Sequence, residues 1–231
     1  MRSDTEVAKR NAGMEAARLV KDGMALGLGT GSTVHYFLKE LSNRIKNEGL
    51  RVSGVPTSLP TESLAKELGI PLIGLEERPR LDLDIDGADE VDADLNLIKG
   101  GGGAHVREKI VARASEFVAI VVDESKLSRR LGEKSPVPVE IIPFALPLVS
   151  REISDLGGRC KIRMAEGGKG PFRTDNGNLI LDCDFGPIAD PDALEADIRS
   201  IPGVVDSGIF CQVADLVIVG TSSGTRVIQR K

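Results

Sequence analysis

Residues 100–103 are four consecutive glycines, and no other stretch of this 231-residue chain limits its fold so strongly. Glycine gives up more conformational entropy on folding than any other residue, so a run of four implies backbone that must lie against something small. The apolar segment Leu95-Asn96-Leu97-Ile98 runs into the loop, and a helical segment, Ala104 to Ser115, leaves it. Lys99 stands at the entrance and Glu108 lies one turn inside the helix. A strand, a glycine turn and two opposite charges aimed at one place read as an active site, with the rest of the chain as its scaffold. A weak surface ion pair is the plain alternative, and the four intervening glycines argue against it.

Upstream, helical and apolar strand-like segments alternate. Ser3-Asp4-Thr5-Glu6 has the spacing of a capping box, which predicts a helix to about Lys21. Met24 to Gly29 reads as a strand that breaks into Gly29-Thr30-Gly31-Ser32-Thr33, with a helix to Lys46 beyond. Arg51 to Val55, Pro71 to Leu75, Leu81 to Ile85 and Glu116 to Val122, apolar from Phe117 onward, are further strand candidates. Thr61 is the expected cap of a helix that Gly69 ends. Alternation of this kind predicts a parallel α/β sheet with right-handed crossovers, a Rossmann-like architecture. After it comes a βαββαβ order, with strands at Val137–Phe144, Cys160–Ala165, Asn178–Asp184 and Val204–Phe210. That order is ferredoxin-like. The expected organisation is therefore α/β: residues 1–130 with 210–231 as the larger domain, and 131–209 as an inserted, smaller α+β domain. Leu216 to Val219 is expected to return to the parent sheet.

Composition narrows the partners. A formal net charge of -5 disfavours nucleic acid. No apolar run reaches the length of a membrane span, and the N-terminus carries no signal-peptide pattern. Cys160, Cys183 and Cys211 are odd in number and widely spaced, which predicts buried free thiols in a reducing compartment, the cytoplasm. With two histidines and no Cys-x-x-Cys, a zinc site has little to be built from, and no metal is expected.

Three further motifs carry chemistry. The loop Gly27 to Thr33 is neither a dinucleotide fingerprint, since Ser32 stands where the third glycine would fall, nor a Walker A loop. Amides at a helix N-terminus with hydroxyls from Thr30, Ser32 and Thr33 suit one phosphate. A tight turn whose hydroxyls merely cap the helix is the alternative; a second glycine loop in the same sheet tilts the reading to phosphate. Asp82-Leu83-Asp84-Ile85-Asp86-Gly87 resembles the start of a calcium loop, but its twelfth position is Ala93, where a glutamate is needed. The better reading is a strand that delivers Asp86 and Asp89 to the carboxyl edge of the sheet, where ligands bind. Lys126, after the most apolar strand, could reach a phosphate from there. His105 reads as a packing or helix-surface residue.

At these residues the chain resembles the type A ribose-5-phosphate isomerases. The matching blocks are Gly-Thr-Gly-Ser-Thr at 29–33, Asp-Gly-Ala-Asp-Glu at 86–90, Lys-Gly-Gly-Gly at 99–102 with Arg-Glu-Lys at 107–109, and Asp-Glu-Ser-Lys at 123–126. The resemblance implies interconversion of D-ribose 5-phosphate and D-ribulose 5-phosphate through an enediolate, in the non-oxidative pentose phosphate pathway. It implies no metal and no organic cofactor, and a homodimer or a dimer of dimers. By the family pattern Glu108 is the base, assisted by Lys99, Asp86 and Asp89. Thr30, Gly31, Ser32, Thr33, Asp86, Gly87, Ala88, Asp89, Lys99, Gly100, Gly101, Gly102 and Lys126 bind substrate, with Lys9 near the phosphate. A different sugar-phosphate enzyme, such as an amino-sugar-phosphate deaminase, and a non-catalytic sugar-phosphate sensor are the rival readings.

Overall fold

The structure is a computed structural model and describes residues 4–168 and 170–230. In chain order the helices and strands are α1 Asp4–Ala17, β1 Ala25–Leu28, α2 Ser32–Glu48, β2 Ser53–Pro56, α3 Leu59–Leu68, β3 Leu83–Asp86, β4 Glu90–Val91, β5 Leu97–Ile98, α4 His105–Ala114 and β6 Val118–Asp123. Then come β7 Val137–Ile141, α5 Leu146–Asp155, β8 Arg159–Ile162, β9 Leu179–Asp184, α6 Pro191–Ser200, β10 Val204–Ser207, β11 Ile209–Phe210, β12 Leu216–Thr221 and β13 Gly224–Gln229. They form two compact units: residues 1–88, 107–126 and 213–231, and residues 89–106 with 127–212.

The first unit holds a six-stranded sheet of order β13-β12-β6-β3-β1-β2. Its strands are parallel except β13, which makes an antiparallel hairpin on β12 that the sequence reading did not foresee. Alternation along the strands decides the two faces. Leu26, Leu28, Leu83 and Ile85 turn to one face and pack with Phe37, Leu38 and Leu41 of α2 and Ala12 and Ala16 of α1. Ala25 turns to the other face and packs with Val111 of α4. The chain runs from β1 outward to β2, then returns to the far side of β1 with β3 and continues to β6. The crevice between the ends of β1 and β3 is thus a topological switch point, where open α/β sheets hold ligands.

In the second unit β7, β8, β9 and β10 form an antiparallel sheet of order β10-β7-β9-β8. With α5 and α6 this is the ferredoxin-like βαββαβ arrangement. Val137, Val139 and Ile141 of β7 and Leu179 and Leu181 of β9 bury one face with Val149, Ile153 and Ile198 of the helices. A separate three-stranded antiparallel sheet, β11-β5-β4, completes the unit.

Several local expectations change. The capping Ser3 lies outside the described residues, and α1 ends at Ala17 rather than near Lys21. Pro71 to Leu75 is not a strand; it makes a single parallel bridge, Gly54 to Leu72. The predicted strand at 204–210 divides at Gly208, where a Cβ would lie 2.3 Å from the Lys99 carbonyl oxygen. Most consequential, the strand before the glycine run is not in the parallel sheet. β5 pairs antiparallel with β4 and β11, so Asp89–Val106 clusters with the second unit rather than with 1–130. Leu127 and Ser128 follow it through backbone contacts to Val91, and 210–212 through β11. The free-thiol expectation is also corrected. β8 and β9 place Cys160 directly opposite Cys183, and the two are disulfide-bonded. Only Cys211 is free, its thiol pushed up chiefly by burial.

Candidate active site

In the first unit three adjacent strands, β1, β3 and β6, end at one edge of the sheet. Beyond β1, Gly31 takes a φ of 131°, a conformation reserved for glycine, and α2 begins with no side chain capping its first amides. The uncapped N-terminus of a 17-residue helix is a ready anion site, with Ser32 and Thr33 in its first turn. Asp86 is 1% exposed at the end of β3, and its Oδ1 accepts the N–H groups of Thr30 (2.9 Å) and Gly87 (2.7 Å). A Cβ on Gly29 would lie 2.2 Å from that oxygen, so the glycine is what lets the carboxylate in. Asp86 therefore shapes the loop.

Thr30 is committed as well. Its hydroxyl donates to Ser58 Oγ (2.8 Å) and lies 2.8 Å from Thr57 Oγ1 and 3.2 Å from Thr61 Oγ1. Thr61 in turn donates its hydroxyl to the Gly29 carbonyl (2.9 Å). This hydroxyl cluster was missed in the sequence, where Thr61 was the expected helix cap. Ser58 holds that place, accepting from the Thr61 N–H. The run Thr57-Ser58 directly after β2 was the available signal. The Thr30 hydroxyl is thus engaged within the protein.

A cleft of about 550 Å³ opens beside the loop, lined among others by Gly29, Thr30, Gly31, Ser32, His35 and Glu6. Burial, then Lys39, hold the His35 imidazole below its usual range. Lys9 pairs with Glu6 at 3.6 Å and does not itself line the cleft. Lys126 sits in the one-turn helical segment Glu124–Lys126 after β6 and makes no ion pair among the described residues. Glu108 is 4% exposed in the first turn of α4. One turn further on, Val111 packs where a Gly27 side chain would be, so α4 carries Glu108 towards the carboxyl end of β1.

The second unit holds the glycine run. Lys99 is 3% exposed, with its ammonium 5.6 Å from the centre of the Phe210 ring, a cation–π distance. Gly100 and Gly103 take φ values of 99° and 79°, and the Gly103 N–H closes a turn on the Gly100 carbonyl (2.9 Å). Asp89 Oδ2 accepts the Gly101 N–H at 2.7 Å. Arg163, which the sequence reading passed over, donates from Nη1 to the carbonyls of Gly100 (2.7 Å) and Gly101 (3.1 Å). His105 is fully buried, and a Cβ on Gly100 would strike its ring. Glu90 is buried too; its carboxylate accepts the amides of Gly132, Glu133 and Ser135 and anchors that loop. Asp82 accepts the Ala25 N–H, and among the described residues no three His, Cys, Asp or Glu side chains are placed to hold a metal.

The family model described as ribose 5-phosphate isomerase A (phosphoriboisomerase A) matches residues 53–224. The chain belongs to this family. A ribose-5-phosphate isomerase A from Methanothermobacter thermautotrophicus is 50% identical over 221 residues, 96% of this chain and 97% of its own. That of Methanocaldococcus jannaschii is 51% identical over 227 residues, 97% of this chain and 99% of its own. A solved structure of the ribose 5-phosphate isomerase A from Methanocaldococcus jannaschii superposes with a TM-score of 0.94 at 48% identity, covering 97% of this chain and 99% of that one. A D-ribose-5-phosphate isomerase in complex with phospho-erythronic acid gives a TM-score of 0.96 at 42% identity over the whole of both chains. These relatives favour the isomerase over both the deaminase and the sensor.

Proposed function

We propose that this ribose 5-phosphate isomerase A family member interconverts D-ribose 5-phosphate and D-ribulose 5-phosphate, within the pentose phosphate pathway. The observation that carries the reading is family membership over nearly the whole chain, with every chemical group the reaction needs present in it. The phosphate is held by the open N-terminus of α2, through the amides and hydroxyls of Ser32 and Thr33, with Lys126 adding charge. Gly87, Ala88 and Gly100 to Gly102 offer close backbone approach to the sugar, and Lys9 acts indirectly through Glu6.

Glu108 is the proton shuttle. Its carboxylate takes the proton from C2 of the open aldose, leaving an enediolate, and returns it to C1; the hydroxyl proton moves from O2 to O1. Atoms and charge balance without a cofactor. Lys99 neutralises the oxyanion, a role worth a few kcal/mol per donor. Asp86 and Asp89 hold sugar hydroxyls, and one of the two assists ring opening; Asp89 is the more exposed.

The deciding assay follows ribulose 5-phosphate formation from ribose 5-phosphate with EDTA present. The native chain should turn over, and Glu108→Gln should lose about a thousandfold in kcat, as removal of a positioned base does. Near-normal turnover in the variant would remove Glu108 from the chemistry. A homodimer or dimer of dimers and a cytoplasmic location belong to the same reading. Light scattering on the purified protein tests the first.

A further inference from the structure

Glycine has no side chain with which to hold a loop, so the shape of residues 100–103 must be imposed from outside. In the second unit it is imposed from two sides. On one, Asp89 Oδ2 accepts the Gly101 N–H at 2.7 Å. On the other, Arg163 Nη1 donates to the Gly100 and Gly101 carbonyls at 2.7 and 3.1 Å. Arg163 is itself fixed. Its Nε donates to Asp182 Oδ2 at 3.0 Å and its Nη2 to Asp182 Oδ1, a two-point grip that matches the flat guanidinium to the carboxylate. Its side chain is only 15% exposed.

The geometry of the peptide bond then settles where the amides point. In a trans peptide the C=O and N–H are directed oppositely. With the Gly100 carbonyl on Arg163, the Gly101 N–H faces Asp89, as observed. With the Gly101 carbonyl on the same guanidinium, the Gly102 N–H faces away from Arg163 too. Two successive amides are thereby turned to one side, the arrangement that makes an anion-binding concavity. Asp89 occupies the first amide.

We infer that Arg163, locked by Asp182, is a positioning residue: it sets the two peptides of the glycine run so that the Gly102 N–H is presented to the oxyanion of the enediolate. The inference rests on the isomerase reading and adds to it a residue some sixty positions from the loop it orders. Arg163 touches no reacting atom. Its effect is on the direction of a backbone donor, which matters most when negative charge develops.

Arg163→Ala should lower kcat by about 10- to 100-fold, as misdirecting one oxyanion donor does. KM for ribose 5-phosphate and competitive inhibition by inorganic phosphate should stay within about threefold of the native values, since neither depends on developing charge. Inhibition by phospho-erythronate, whose carboxylate carries charge where the enediolate does, should weaken in step with kcat. Free guanidinium ion should restore part of the lost kcat, and Arg163→Lys should fall between the two. Should Arg163→Ala fail to fold, Asp182→Asn, which keeps the guanidinium but loosens it, should show the same pattern with a smaller loss. A folded Arg163→Ala with native kcat would overturn the proposal; so would a loss shared equally by phosphate inhibition, which would make Arg163 a phosphate ligand. If the native chain shows no turnover, the isomerase reading fails first. Phospho-erythronate affinity then decides alone, and equal affinity in native and variant protein removes the positioning role.

Discussion

The two glycine loops of this chain reach their shapes by opposite routes. In the first unit the Gly29–Thr33 loop is the direct continuation of a buried parallel strand, and its neighbours, Asp86 and the hydroxyls of Thr57, Ser58 and Thr61, stand at the ends of adjacent strands or the start of α3. Strand order alone delivers them. In the second unit the run 100–103 follows a two-residue strand in a small sheet. It is held by Arg163 and Asp89, charged side chains that grip its backbone from either side. A loop built into the sheet should be costly to disturb in stability. A loop held by distant side chains should be costly to disturb in rate.

The same substitution in both places tests this contrast. In Gly29→Ala the new Cβ would sit 2.2 Å from Asp86 Oδ1 and 2.5 Å from its Cα, so backbone in β3 has to move. A loss of about 3 kcal/mol in stability is expected, read from denaturant unfolding. In Gly101→Ala the obstacle is the tip of the Asp89 side chain at 2.6 Å, which can swing aside. The stability loss should be about 1 kcal/mol, while kcat falls about tenfold because the Gly101 N–H loses its anchor. If both variants lose stability equally and keep kcat, the two loops are not different in kind.

Smaller effects sharpen the picture of the first unit. Ser58→Ala removes the cap of α3 and one member of the hydroxyl cluster around Thr30; about 1 kcal/mol is expected from thermal unfolding. The smallest effect is electrostatic. Burial holds His35 below its usual 6.5, with Lys39 adding to the shift and Glu67 and Glu6 opposing it. The unfolded chain therefore takes up that proton at a higher pH than the folded one, and stability declines as pH falls from about 6.5 through the folded value, then levels. His35→Gln should flatten that slope; an unchanged slope would place the acid sensitivity in other groups.

Much of the candidate site's placement was legible in sequence because its residues sit in short contiguous motifs. Gly29 to Thr33, Asp86 to Asp89 and Lys99 to Gly102 each fall at a strand end, and local alternation locates strand ends well. The core of the parallel sheet was equally legible, since Leu26, Leu28, Leu83 and Ile85 alternate with residues of the other face. Pairing was not. Leu95 to Ile98 has the apolar character of a parallel strand, yet β5 pairs antiparallel with the nearby β4 and with β11, more than a hundred positions away, and apolar character alone does not name a strand's partners. For the same reason Cys160 and Cys183 read as separate thiols until the register of β8 and β9 set them opposite one another.

By itself, then, the sequence determined the alternation that makes an α/β fold, the ferredoxin-like order of the second unit, and the residue types that suit a sugar phosphate and a proton shuttle. Those are local matters, governed by periodicity, by glycine and by the charge on a single side chain. Only the tertiary structure decided that Thr30 spends its hydroxyl on Thr57, Ser58 and Thr61, that Glu90 anchors a loop, and that Arg163 directs the peptides of the glycine run. Each of these is a hydrogen bond between groups distant in the chain, and no local pattern encodes its partner.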